Sequence, residues 1–397
     1  MFFNNLFTMM AQRGASDIFV TAGSPIRIKI DGQVMTVNQQ KMEPSMIISM
    51  LTEALTQAQM KRLETERELN FSLGRGALGN FRINAFWQRG SAAIVIRHIQ
   101  SKIPSFQELG MPKVLSDFAM SKRGLVLLVG ATGEGKSTTI ASMLDYRNQN
   151  RTGHILTVED PIEYLYRHGK SIVNQREIGI DTLDWQYALK NAMRQAPDCI
   201  MIGEIRDRAT MEAALAYALT GHLCISTLHA NNAYHALNRI TSFFPVENRP
   251  LLYQDLSVAL KAIIAQRLVR KANGKRMPAV EILSNTQLIA DYIEKGEFPS
   301  VKEAIEKSLS EGSRTFDQDL YRLQEEGKIT VAEALAHSDS PSNLAWLINN
   351  AKGGHVPVAS TTYSSNSDKD GAPEVTASPL STSFREFKLD MNIPGED

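Results

Sequence analysis

The chain has 397 residues, 43% of them hydrophobic and 22% charged, a composition typical of a globular protein with a sizeable core. Its 43 Lys and Arg residues balance 43 Asp and Glu residues, so there is no global positive charge to attract nucleic acid, and we predict no nucleic-acid partner. The sequence shows no basic leader with a long apolar core and no run of about 18 apolar residues. We therefore expect a cytoplasmic chain that reaches a membrane only through a partner.

The first 100 residues carry the signs of a small α+β domain. Apolar residues alternate with polar ones at 17–23 and 25–32, which predicts paired strands. Helical spacing follows at about 43–66, and strand patterns return at 80–86 and 93–97. A proline in a short polar stretch comes next, so residues 101–112 are predicted to be a linker.

The second region alternates short apolar runs with helical segments. The runs lie at 124–129, 155–158, 199–202 and 224–227. This arrangement is typical of a parallel sheet covered on both faces, and it predicts an α/β core over residues 113–270.

Beyond about residue 250 the pattern is mostly helical, with one strand expected near 277–283. We predict a helical region over residues 271–350. Residues 351–397 are rich in Ser, Thr, Gly, Pro and Asp, which predicts a disordered tail.

The strongest chemical signal directly follows the apolar run at 124–129. It reads Gly130-Ala131-Thr132-Gly133-Glu134-Gly135-Lys136-Ser137, followed by Thr138, and it fits the Walker A pattern in the strand-to-helix position that the motif requires. Glycines let backbone N–H groups surround phosphates, Lys136 can bridge the β- and γ-phosphates, and Ser137 can ligate Mg²⁺. The pattern predicts that this chain binds ATP and Mg²⁺.

Two acidic segments follow the ends of other predicted strands. Glu204 ends the apolar run at 199–202 and can hold the water shell of Mg²⁺, although many buried strands end in a merely solvated acid. Glu159, Asp160 and Glu163 follow the run at 155–158. Carboxylates at this edge of a parallel sheet face the crevice where α/β folds bind ligands, and a Glu there can position an attacking water. The alternative is a solvated acidic turn around Pro161.

Two histidines, His222 and His229, flank the run at 224–227. On a strand this spacing puts them at opposite ends, so they cannot share one metal. Such residues are commonly structural, but an imidazole near a γ-phosphate can sense it or donate to it.

Taken in chain order, the four segments resemble the P-loop, Asp box, Walker B strand and His box of the secretion ATPase superfamily. Within that superfamily, the sequence looks most like the type IV pilus retraction ATPases of the PilT and PilU type. The segments that carry this likeness are 15–17, 158–163, 174–177, 203–207 and 227–229, and the resemblance covers residues 1 to about 350. It implies a PAS-like N-terminal domain followed by a RecA-like ATPase domain. It also implies Glu163 as the catalytic glutamate, Glu204 as the Walker B acid, His222 and His229 as the His box, and Arg82 and Arg97 as arginines that reach the phosphates. From the residues alone, a surface residue of a strand is the favoured interpretation of each arginine.

The resemblance further implies a homohexamer that hydrolyses ATP at the inner-membrane base of a pilus. The implied partners are an inner-membrane platform protein and a retraction ATPase of the PilT type. One departure points to the accessory PilU type: where the PilT type has basic residues in a helix linked to retraction, this chain has Glu306 and Ser310.

Three alternatives stay open. A pilus assembly or secretion ATPase usually carries an extra N-terminal domain and a four-cysteine zinc site, whereas this chain has only Cys199 and Cys224. A regulatory nucleotide-binding ring would turn over little ATP, and the presence of Lys136, Glu163 and Glu204 argues against it. A nucleic-acid motor would have a basic, aromatic-lined channel, which neutral charge and 7% aromatic content do not favour.

Overall fold

Two β-sheets organise the chain in the computed structural model. The structure describes residues 2–30, 32–75, 78–99, 102–308, 310 and 312–351, all within one compact unit. The predicted disordered tail, apart from Ala351, lies outside the described residues, as do Leu309 and Glu311 of the segment that distinguishes the two retraction types. Among the described residues no helix is both long and apolar enough to cross a membrane.

The first sheet has six strands in the order β3-β2-β1-β6-β5-β4, and each neighbouring pair is antiparallel. The strands are Asp17–Thr21 (β1), Pro25–Ile30 (β2), Gln33–Lys41 (β3), Glu68–Gly74 (β4), Asn80–Gln88 (β5) and Ser91–Ile99 (β6). Helices Phe2–Arg13 (α1), Pro44–Ala54 (α2) and Gln57–Glu66 (α3) pack with it around one core. Within that core Phe7 stacks on Phe81 with ring centroids 4.0 Å apart.

The second sheet has seven strands in the order β13-β12-β7-β11-β10-β8-β9. They are Gly124–Val129 (β7), Gly153–Glu159 (β8), Ser171–Glu177 (β9), Cys199–Ile202 (β10), Leu223–Leu228 (β11), Leu260–Arg270 (β12) and Arg276–Ser284 (β13). Neighbours pair in parallel except β12 and β13, which are antiparallel. Both faces of a parallel sheet must be covered, which explains the apolar runs read from the sequence.

Helices cover both faces of this second sheet. On one face lie Val114–Ala119 (α5) and Lys136–Asn150 (α6), preceded by the short helix Phe106–Leu109 (α4). On the other face lie Trp185–Ala192 (α7), Arg208–Leu219 (α8), Ala233–Ser242 (α9), Arg249–Ala259 (α10), Gln287–Lys295 (α11) and Pro299–Glu306 (α12). Two 3₁₀ turns, Met193–Gln195 and Val246–Asn248, join elements on this side.

A smaller core joins the last three helices to the edge of the second sheet. These helices are Phe316–Glu325 (α13), Val331–His337 (α14) and Pro341–Ala351 (α15). Their buried residues pack with Val269 of β12 and with Met277 and Ala279 of β13.

The predicted α/β class is confirmed, with an α+β region ahead of a mainly parallel sheet. One element differs from the prediction. Residues 260–270 form the 11-residue strand β12, where the sequence pattern suggested helix. The division into domains at residues 101–112 stays a prediction.

Candidate nucleotide site

The loop between β7 and α6 turns back on itself through three glycines. Gly130, Gly133 and Gly135 all have positive φ, at 154°, 86° and 80°. An ideal Cβ at Gly130 would lie only 2.6 Å from the carbonyl oxygen of Gln266. Glycine is therefore required at 130 both by conformation and by the close approach of β12.

Lys136 begins α6 and folds over this loop. Its Nζ donates hydrogen bonds to the carbonyl oxygens of Gly130 (2.7 Å) and Ala131 (2.8 Å). Burial lowers the pKa of Lys136, while the nearby carboxylates of Glu204, Glu134 and Glu163 raise it. The ammonium group thus sits at the N-terminus of a helix whose first N–H groups have no partner within the helix, an arrangement that suits phosphate oxygens.

A contact from β12 holds the loop, and sequence reasoning missed it. Gln266 is 2% exposed; its amide donates to the Glu134 carbonyl (2.5 Å), and its side-chain oxygen accepts from Thr139 Oγ1 (2.8 Å). The Glu134 carboxylate accepts from the backbone N–H of Leu268. Glu134 was predicted to bind the nucleotide as a position of the phosphate loop, and this role stays a prediction; its side chain contacts β12. The available signal was a buried amide interrupting the apolar run at 260–269.

A cavity of about 560 Å³ opens at the carboxyl ends of β7, β8, β10 and β11. This is the edge at which parallel α/β sheets bind ligands. The predicted site residues that line it are Thr132, Gly133, Gly135, Lys136, Ser137, Thr138, Glu159, Asp160, Glu163, Glu204 and His229. Lining residues that were not predicted include Tyr164, Tyr166, Trp185, Arg206, Leu268 and Arg276.

The Glu204 carboxylate lies between the guanidinium group of Arg206 and the imidazole of His229. Its Oε2 accepts from Arg206 Nε at 2.7 Å, and its Oε1 lies 3.1 Å from His229 Nε2. The hydrogen bond to Glu204 raises the pKa of Arg206. These contacts orient the carboxylate and its neighbour His229 at the cavity.

The acids after β8 differ in their surroundings. Glu159 is buried, and burial raises its pKa to about 7, although its bonds with Thr157 Oγ1 (2.6 Å), Gln175 Nε2 (3.2 Å) and the backbone of Glu163 lower it. Glu163 is exposed at the cavity. A solvated carboxylate that faces the cavity is better placed to accept a proton from water than one held among neutral donors.

Three predicted site residues lie elsewhere in the single chain. His222 precedes β11 at the opposite edge of the sheet, beside Thr220 Oγ1 and the Tyr217 carbonyl. Arg97 donates to Asp17 Oδ1 at 2.9 Å, and Arg82 lies 3.7 Å from Glu177 Oε1. None of the three lines the cavity, so their roles toward a nucleotide stay predictions.

The donor set fits a magnesium ion held in part through water. Ser137 and Glu204 supply oxygen ligands at the cavity, and Mg²⁺ typically takes one or two protein oxygens together with substrate phosphates. Among the described residues no three His, Cys, Asp or Glu side chains cluster closely enough to form a metal site by themselves. A bound Mg²⁺ would neutralise charge on the phosphates.

The chain belongs to the family described as "Type II/IV secretion system protein", whose profile matches residues 1–352. The family is one of secretion and pilus ATPases, which agrees with the phosphate loop and the acids that line the cavity.

Within this family the chain is similar to pilus motor proteins. It is 47% identical to the "Type IV pilus ATPase PilU" of Pseudomonas aeruginosa, over 87% of this chain and 91% of the relative. It is 38% identical to PilT of the same organism, over 85% of this chain and 98% of the relative. A crystal structure of the pilus retraction motor PilT with bound ADP matches with a TM-score of 0.79 and 39% identity, over 85% of this chain and 97% of that one.

Proposed function

We propose that this chain is a Mg²⁺-dependent ATPase that powers or assists the retraction of type IV pili. The observation that carries the proposal is the cavity in which Lys136, Glu163 and Glu204 meet. It provides a phosphate-binding loop, a solvated carboxylate for the attacking water and a second carboxylate for the metal. The named relatives supply the biological setting.

In this mechanism the protein mainly positions and neutralises charge. The loop amides and Lys136 bind the β- and γ-phosphates, and Ser137 with Glu204 would hold a magnesium ion that neutralises phosphate charge. Glu163 orients water for attack and accepts its proton. His229, which lies beside Glu204, responds to the state of the γ-phosphate.

The working form that we propose is a homohexamer in the cytoplasm at the inner-membrane base of the pilus. Arg82, Arg97 and His222 do not reach the cavity of their own chain, so a neighbouring subunit is the natural place for them to act. Exposed apolar side chains on the second-sheet region, such as Leu183 at 77% and Tyr187 at 52%, favour burial against another subunit.

The accessory PilU type is favoured over the PilT type by the higher identity and by Glu306, which ends α12 in a position where the PilT type is basic. We propose a PilT-type ATPase and an inner-membrane platform protein as its partners. Within the family, an ATPase that serves protein secretion is less favoured than a pilus motor. The match to the type II secretion protein E of Pseudomonas aeruginosa is 33% identical but spans only 62% of this chain and 48% of that relative.

The deciding experiment is Mg²⁺-dependent ATP hydrolysis per subunit across protein concentration. We expect specific activity to rise with concentration in the wild type and to be absent in Lys136→Ala and Glu163→Gln. Glu163→Gln should still bind nucleotide, because glutamine keeps the shape and loses only the base. A wild type that binds ATP and turns over no faster than either variant at any concentration would contradict the motor and favour a regulatory ring.

A further inference from the structure

The loop that carries Glu163 has no regular structure of its own. Residues 160–170 connect β8 to β9 and contain no helix or strand. A catalytic carboxylate must be held within a fraction of an ångström, so such a loop needs support from a rigid element.

Strand β9 supplies this support through one side chain. Gln175 Nε2 donates to the Tyr164 carbonyl at 2.8 Å and to Glu159 Oε1 at 3.2 Å, and Gln175 Oε1 accepts from the Tyr166 N–H at 3.0 Å. One amide therefore contacts two loop residues that follow Glu163, Tyr164 and Tyr166, and the end of β8 that precedes it, at Glu159.

The same network reaches the backbone of Glu163 itself. The Glu159 carboxylate that Gln175 contacts also accepts a hydrogen bond from the backbone of Glu163. The Tyr164 hydroxyl lies 2.8 Å from Thr138 Oγ1, which ties the loop to the first turn of α6. The catalytic loop is thus connected to β9 on one side and to the phosphate-binding helix on the other.

We propose that Gln175 is a positioning residue for ATP hydrolysis, which fixes Glu163 in place by binding Tyr164, Tyr166 and Glu159 at once. The proposal rests on the proposed ATPase function. Gln175 does not line the cavity, so it acts on the reaction only through these residues. A side-chain amide suits the task because it presents donors and an acceptor together, which no apolar residue of equal size does.

The test uses the full-length chain with Gln175→Met, which keeps volume and loses all three bonds, and Gln175→Glu, which keeps an acceptor for Tyr166 but no donor. Asn174→Ala is the matched control, since Asn174 is the adjacent residue of β9 and contacts His154 Nε2 instead of the loop. We expect kcat to fall by roughly 10–100-fold in both Gln175 variants, in the range seen when support around a catalytic group is lost. The Kd for ADP should stay within about twofold, and Asn174→Ala should resemble the wild type.

Hydrogen exchange supplies a second readout that does not depend on turnover. In Gln175→Met, peptides spanning residues 160–168 should exchange roughly tenfold faster than in the wild type, the equivalent of one lost hydrogen bond. In Asn174→Ala their exchange rate should equal that of the wild type. Gln175→Glu should retain more protection at Tyr166 than Gln175→Met.

The two readouts separate failure of the proposal from failure of the function. Unchanged exchange in Gln175→Met, or wild-type kcat in a variant with a loosened loop, would overturn the role of Gln175. Equal losses in kcat, nucleotide affinity and melting temperature would show general destabilisation and would overturn it too. A wild type without hydrolysis would refute the proposed function and the catalytic part of this proposal, while the exchange data would still decide whether Gln175 holds the loop.

Discussion

Position 130 has no room for a side chain, so the substitution Gly130→Ala tests whether the phosphate loop binds the nucleotide. An alanine there would put Cβ 2.6 Å from a backbone oxygen of β12, which cannot move without shifting the strand. We expect Gly130→Ala to lower ADP affinity at least about tenfold and to destabilise the fold by a few kcal/mol, because both strain and overlap arise. Isothermal titration and thermal unfolding measure the two effects.

The matched control for this substitution is Gly221→Ala. Gly221 also has positive φ, at 101°, but an added Cβ meets nothing within 4 Å, and it lies away from the cavity. It should cost about 1–2 kcal/mol of stability from conformational strain and leave ADP affinity unchanged. Equal affinity losses in both variants would show that general destabilisation, not the contact of residue 130 with β12, lowers ADP affinity.

The phosphate loop was predictable because all of its parts are contiguous in the chain. Lys136 and Ser137 stand at fixed distances from the glycines and directly after a strand, so spacing alone defines their chemistry. Gln175 and Gln266 are different, because each reaches the site from a distant strand. The sequence marks both positions, Gln266 within an apolar run and Gln175 within the family-like segment 174–177, but their contacts follow only from the order of the strands in the sheet.

Strand β12 shows why an element can be missed although its residues are plainly apolar. Residues 262–265 are apolar and buried on both faces of the strand, and so short a run fits a buried strand and a buried helix alike. The preceding α10 ends at Ala259, directly before β12 begins at Leu260, so no polar break separates them. The fold class was nevertheless predicted correctly, since it depends on the alternation of strands and helices earlier in the chain.

Glu281 on β13 gives the contact between this strand and α9 a dependence on pH. The Oε1 atom of Glu281 accepts a hydrogen bond from the Ala233 N–H at 2.8 Å. Burial raises the pKa of Glu281 to about 7, and the charge of Asp339 raises it further. The Ala233 N–H, Arg267 and Lys302 lower the pKa, but by less than burial raises it. Between pH 4.5 and about 7, folded Glu281 keeps a proton that the unfolded chain has released, so stability falls as pH rises. We expect Glu281→Gln to remove up to about 3 kcal/mol of this decline.

Urea unfolding at pH 5 and pH 8 measures the effect of Glu281→Gln. Glu159, whose pKa is also raised to about 7, contributes a similar decline in both proteins and therefore cancels in the comparison. The exposed Glu294 on α11 provides the control variant Glu294→Gln, which should keep the wild-type pH dependence. A pH dependence that is the same in Glu281→Gln and in the wild type would show that Glu281 is not protonated in the folded chain.

The ion pair between Arg82 and Glu177 connects the two sheets close to the loop that carries Glu163. Arg82 of β5 lies 3.7 Å from Glu177 Oε1 of β9, a buried oxygen that has no hydrogen-bond partner. The other oxygen, Oε2, accepts from the Ile162 N–H at 3.2 Å, one residue before Glu163. The pair thus joins the N-terminal sheet to the loop that carries Glu163, the proposed catalytic carboxylate. A distance of 3.7 Å leaves the pair loose enough for Arg82 to bind another anion instead.

The proposed role of Arg82 at the phosphates makes the nucleotide and Glu177 competitors for one guanidinium. Because Arg82 cannot satisfy both at once, Glu177→Gln should release it and tighten ATP binding severalfold, while glutamine still accepts from Ile162. Arg82→Gln should weaken ATP binding, and in the double variant the gain from Glu177→Gln should vanish, since no arginine remains to be released. Equilibrium titration with a non-hydrolysable ATP analogue, applied to the assembled wild type, both single variants and the double variant, measures the four affinities of this double-mutant cycle. If Glu177→Gln weakens binding as much as Arg82→Gln does, the pair is a structural support of the site, and Arg82 acts on the nucleotide only by holding β9 in place.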